Sequence, residues 1–174
     1  MKFKDSILRD ILAYVFGTIM LCVVVPAIII VIGIYYPIDF MPLNKTTSAF
    51  GAVCSGCGLF FVIWANYEMV TKGKGGAAVI GKIKLSHETQ HLVTTGPYSL
   101  CRNPMHMGLV LFFLGLCCAI NSLITLLIPL AFLTFAYIMA KYVDEPRLKR
   151  DFPNEFDDWC HKVPQRFWPK PKKG

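Results

Sequence analysis

Two short stretches hold most of the side chains that could bind or orient a reacting group. The first is Gln90-His91-Leu92-Val93-Thr94-Thr95-Gly96-Pro97-Tyr98-Ser99-Leu100-Cys101-Arg102-Asn103-Pro104-Met105-His106-Met107-Gly108. Gly96-Pro97 signals a turn. Asn103-Pro104 puts a cap-type residue and a proline where an apolar helix begins. Such a helix start offers free backbone N–H groups and the positive end of a dipole, which suits an anionic or acceptor-rich ligand group. One turn further in, Gly108 permits close approach of a ligand or of another backbone. The second stretch is Asp144-Glu145-Pro146-Arg147-Leu148. Its adjacent carboxylates could receive a cationic group, or simply complement Arg147, Lys149 and Arg150.

Other combinations are weaker. His87 and His91 are four apart and could share a metal on a helix, but no third ligand accompanies them, and no metal is expected. Cys54-Ser55-Gly56-Cys57 matches a C-x-x-C pair inside a run of small apolar residues, without a second pair at zinc-site spacing. Helix packing explains it better. No nucleophile elbow, phosphate-binding loop or dinucleotide glycine fingerprint occurs.

The elements that must position these groups are hydrophobic. Of 174 residues, 55% are hydrophobic and 17% charged, against about 25% charged in soluble domains. That excludes an ordinary soluble enzyme and a disordered chain. The pattern predicts one all-α, polytopic membrane domain over residues 1–174, with about four spans at 11–36, 47–70, 104–120 and 123–141. Pro26 is expected to kink the first. Gly51, Ser55, Gly56 and Gly58 give the second a small-residue face for close helix contact. Spans three and four form a C-terminal helical hairpin. Between spans two and three lies the longest polar segment, residues 71–105. The tail, residues 142–174, is amphipathic, with Leu148, Phe152, Phe156 and Trp159 at helical spacing and Trp168-Pro169-Lys170 as an interfacial anchor.

The net charge is +7. With four spans, 17 of the 18 Lys and Arg, including Lys2, Lys4 and Arg9, share one side and only Lys45 lies opposite. Both termini, the 71–105 loop and the tail are therefore expected in the cytoplasm. The basic residues are not interleaved with stacking aromatics, so nucleic acid is not an expected partner.

Taken together, the two stretches resemble a known family: the integral-membrane methyltransferases. These include isoprenylcysteine carboxyl methyltransferases, bacterial relatives and, more distantly, phospholipid N-methyltransferases. The residues that carry the likeness are Leu92-Val93-Thr94-Thr95-Gly96-Pro97-Tyr98, then Arg102-Asn103-Pro104-Met105-His106-Met107-Gly108, then Asp144-Glu145. Phe152-Pro153-Asn154-Glu155-Phe156 and Val163-Pro164-Gln165-Arg166 follow in the same order. The likeness implies S-adenosylmethionine as methyl donor and a carboxylate or amine of a lipophilic acceptor as recipient, among membrane lipids. It implies a cofactor site formed by Gln90, His91, Leu92, Val93, Tyr98, Asn103, Pro104, Met105 and His106, with Gly108 beside them and Asp144 where a cofactor-contacting Glu is usual. Arg102 and Glu145 are the expected catalytic residues, Arg102 either positioning the acceptor or bracing the loop. Departures are His106 for Tyr, Asp144 for Glu, Pro153 for Gly, and Phe156 and Trp159 for two Tyr. Ala140 replaces an Arg that contacts substrate in the prenyl-cysteine enzymes, so a prenyl-cysteine carboxylate is not the implied acceptor. An NADPH-dependent membrane reductase and a non-catalytic scaffold are the alternatives.

Overall fold

The computed structural model describes Leu12 and residues 15–42, 44–74, 79–80, 83–84 and 90–168. Lys2, Lys4, Arg9, Lys82, His87 and the Pro169-Lys170 end of the proposed anchor lie outside the described residues. Among the described residues the fold is helical apart from one two-residue antiparallel pair. Three of the described helices are long and apolar enough to cross a membrane: α1 (Val15–Tyr35), α2 (Lys45–Thr71) and α4 (Leu123–Asp151). Helix α3 (Pro104–Ile120) is apolar but shorter, at 17 residues. Helix α5 (Pro153–Lys162) closes the described chain. The pair β1 (Val79–Ile80) and β2 (Ile83–Lys84) lies in the segment between α2 and α3.

Local chemistry sets the helix ends. Asn44 accepts from the Thr47 amide at 2.9 Å while the Thr47 hydroxyl accepts from the Asn44 amide at 3.2 Å, a reciprocal cap that starts α2. Asn121 ends α3 in the left-handed conformation, with φ 57°. Its carboxamide then ties the hairpin to the α1–α2 loop. It accepts from the Met41 amide at 3.0 Å and donates to the Met41 carbonyl at 2.9 Å and to Asp39 at 3.1 Å.

Three prolines fall inside the described helices, Pro26, Pro129 and Pro146, and the first and last each follow a widened turn. A proline ring presses on the carbonyl four residues earlier, here Cys22 for Pro26 and Tyr142 for Pro146. A π-type turn covers each of these carbonyls, at Met20–Val24 and Ala140–Asp144. The extra residue per turn makes room, so both helices continue. As a result the helix that carries the last span does not stop near residue 141. It carries the acidic pair along as helix to Asp151. At 1.5 Å per residue, Asp144 sits about 30 Å from the start of α4, one hydrocarbon thickness away. The amphipathic tail is broken rather than continuous. Phe152 leaves the helical region, at φ −136° and ψ 62°, as expected of a residue before proline.

The core has two main parts. Ile29, Leu109, Phe112, Phe113 and Cys117 fill the middle of the bundle. Ala65, Val93, Tyr98, Phe156, Trp159 and Val163 form a second cluster at the end where the loop before α3 meets α5. Between them α2 and α3 touch through glycine. A Cβ on Gly58 would lie 2.6 Å from the Gly108 carbonyl oxygen, and one on Gly108 would lie 2.8 Å from that of Gly58.

Candidate active site

The loop before α3 is held from both sides. On one side, the amides of Gln90 and His91 donate to the Gly73 carbonyl at 2.8 and 3.4 Å. Glu68, on the last turn of α2 and only 7% exposed, accepts from the Thr95 hydroxyl and from Lys72 Nζ, both at 2.8 Å. Lys72 also donates to the Thr95 hydroxyl at 2.8 Å, closing a triangle. Gly96 turns over this clamp at φ +59°, where a Cβ would lie 2.8 Å from the Glu68 carboxyl carbon. On the other side, the Arg102 and Asn103 amides donate to the Gln165 and Arg166 carbonyls at 2.9 and 2.8 Å. Trp159 Nε1 donates to the Tyr98 carbonyl at 3.1 Å.

Glu68→Gln should therefore loosen this loop and little else. Losing one charge-assisted bond of the triangle is expected to speed backbone hydrogen exchange over residues 90–99 by about tenfold, with α3 protection unchanged. Exchange mass spectrometry reads this directly.

The clamp positions one wall of a recess that opens at the start of α3. The recess holds about 100 Å³, small beside the roughly 300–1,000 Å³ of enclosed ligand sites, and it is open at its mouth. Of the residues predicted from sequence, His91, Leu92, Val93, Tyr98, Arg102, Asn103, Pro104, Met105, His106 and Asp144 line it. The helix start and the first residue of the acidic pair thus face the same space.

Three predicted residues stand elsewhere. Gln90 is exposed and contributes its amide to the loop anchor. Gly108 is buried against Gly58 and Val62 of α2, so its missing side chain admits a helix and not a ligand. Glu145 faces away from the cavity lining, into an ion-pair cluster. Arg166 Nε and Nη2 donate to its two oxygens at 2.7 and 2.9 Å, and Arg102 Nη1 lies 3.3 Å away.

Arg102 belongs to both regions. Its Nη1 donates to Cys160 Sγ at 2.8 Å and its Nη2 to the Pro164 carbonyl at 3.4 Å, while its Nε is buried without a partner. The adjacent Cys101 is fully buried, and burial pushes its thiol up to about 11, so it stays protonated and is no nucleophile at neutral pH.

Met69, Arg147, Leu148 and Trp159 also line the recess and were not predicted. Nor was Arg166, whose guanidinium lies 5.5 Å over the Tyr137 ring while it holds Glu145. The Leu148 and Trp159 signal was present as an apolar face. Nothing in the residue order singled out Arg147 or Arg166 from the other cations of the tail. Among the described residues no group of three or more His, Cys, Asp or Glu could hold a metal ion. His91 lines the recess without His87, which lies outside the described residues.

Residues 46–155 match the family model described as phospholipid methyltransferase, a stretch that contains every lining residue of the recess except Trp159. Relatives include the nickel-cobalt-cadmium resistance protein NccN of Alcaligenes xylosoxydans xylosoxydans, 34% identical over 113 residues, or 60% of this chain and 52% of that one. Another is the cobalt-zinc-cadmium resistance protein CzcN of Cupriavidus metallidurans, 31% identical over 112 residues, covering 60% and 51%. The chain spans about half the length of these curated relatives. No solved structure matches.

Proposed function

The chain belongs to the phospholipid methyltransferase family, and from that premise we propose that it transfers a methyl group from S-adenosylmethionine to a carboxylate or amine of a lipophilic acceptor. The observation that carries this reading is the shared recess between the start of α3 and Asp144. When bound, S-adenosylmethionine supplies a methyl group activated on a sulfonium that leaves as a neutral thioether. The residues present fit such a molecule. The start of α3 has no side-chain cap, so the Met105 and His106 amides are available to a carboxylate. Asp144 offers an anion to an ammonium. Tyr98, Leu92, Met105 and Trp159 supply aromatic and apolar wall for a nucleobase.

Because the leaving group is neutral, the protein has no leaving anion to stabilise. Its residues act by holding and aligning, and by keeping water out. Arg102 braces the loop through Cys160, Pro164 and Glu145. Glu145 is a positioning residue, fixing Arg102 and Arg166 against one another. The donor enters from the cytoplasm, where the excess of Lys and Arg puts the recess. The acceptor enters sideways from the bilayer.

Calorimetric titration of the detergent-purified chain tests the reading. S-adenosylmethionine is expected to bind at micromolar to submillimolar concentration, and NADPH is not. Absence of S-adenosylmethionine binding at millimolar concentration overturns it, and NADPH binding in its place favours a reductase.

A further inference from the structure

Arg147 lines the recess from α4 with a side chain only 16% exposed, yet the protein answers its charge poorly. Its Nε is buried without a hydrogen-bond partner. The Asp144 oxygen nearest its Nη2 stands 3.9 Å away, beyond hydrogen-bond reach. A guanidinium carries five N–H donors in a planar fork shaped for an oxyanion. Arg102 shows the contrast. Its two Nη atoms are engaged by a sulfur, a carbonyl and a carboxylate, so it is braced where Arg147 is not.

The charge around the recess points the same way. Two guanidiniums, Arg102 and Arg147, line it with one carboxylate, Asp144. S-adenosylmethionine brings a further net positive charge. In a partly enclosed site such charges interact more strongly than in water. A cationic acceptor would add to the excess and an anionic one would relieve it.

We propose that Arg147 seats an oxyanion of the methyl acceptor, a carboxylate or a phosphate, and so selects anionic amphiphiles over cationic ones. The proposal rests on the methyl-transfer reading above. It makes Arg147 a specificity-determining residue on the α4 wall of the recess.

Three ligands with one tail and different heads test it: dodecanoate, dodecyl phosphate and dodecylamine, titrated into the full chain in a neutral detergent without S-adenosylmethionine. The wild type should bind both anions at least about tenfold more tightly than the amine. Arg147→Gln should abolish that preference, and Arg147→Lys should restore part of it, with thermal midpoints confirming that both variants fold. No charge preference in the wild type, or a preference that survives in Arg147→Gln, overturns the proposal. Labelled methyl transfer to dodecanoate or to phosphatidylethanolamine vesicles then distinguishes a carboxylate from a headgroup phosphate. If the wild type binds no S-adenosylmethionine the methyl-transfer reading fails, while the charge preference, measured without it, is judged separately.

Discussion

Gly58→Leu is expected to abolish the folded state, while Gly56→Leu, two residues away, leaves it intact. The difference lies in what a side chain would meet. At Gly58 a Cβ would press on the backbone of α3, at the Phe112 amide and 2.6 Å from the Gly108 carbonyl oxygen. Backbone inside a helix cannot step aside as a flexible side chain does, so α2 and α3 would have to separate along their contact. Overpacking a well-fitted core costs about 1–3 kcal/mol where side chains can adjust. A backbone clash over two helices should cost at least about 3 kcal/mol, a large part of the stability of a small domain. At Gly56 nothing lies within 4 Å, and a leucine there would meet only lipid or detergent. Size-exclusion profiles and thermal midpoints in detergent check both variants. A monodisperse Gly58→Leu protein with an unchanged midpoint would mean that the close α2–α3 contact does not hold the bundle together. The effect should reach the recess as well, because Met69 and the Glu68 clamp ride on α2 while the helix start rides on α3.

The sequence pattern reveals the spans and the small-residue face well, because both depend on local composition. Gly51, Ser55 and Gly58 do face α3. Gly56 does not, since it lies on the opposite side of the same helix turn. Gly108 was legible as a close-approach position but not as to what approaches, and the partner proves to be Gly58. The loop and the acidic pair could be placed in one site only through the resemblance. Their meeting is held partly by the Arg102–Gln165 and Asn103–Arg166 backbone bonds, which leave no mark in residue type, and partly by the contacts of Arg102 and Arg166 with Glu145. The division of labour between Asp144 and Glu145 was equally hidden. It turns on the widened turn Ala140–Asp144, which rotates every residue after it by an amount that periodicity does not supply.

That division of labour leads to the second large expected effect. Asp144→Asn should weaken S-adenosylmethionine binding by about 10- to 150-fold, the equivalent of a charge-assisted hydrogen bond at roughly 1.5–3 kcal/mol. Asp144 lines the recess at 22% exposure, and its 3.9 Å approach to Arg147 leaves its oxygens free to accept from a ligand. Asp144→Glu, which restores the usual family residue, should retain most of the affinity if the extra methylene fits. Glu145→Gln should behave in the opposite sense. Its two oxygens are taken by Arg166 and approached by Arg102. Removing the charge strands two guanidiniums that are 30% and 11% exposed. Breaking a buried pair in this way costs about 3–5 kcal/mol, and partial exposure here lowers that figure. The thermal midpoint should therefore fall in Glu145→Gln, with affinity in the surviving folded protein changed little. Calorimetry and thermal unfolding on the two variants separate the roles. Loss of affinity confined to Glu145→Gln, with Asp144→Asn binding normally, would reverse the assignment and place the donor's cationic group at the inner acid.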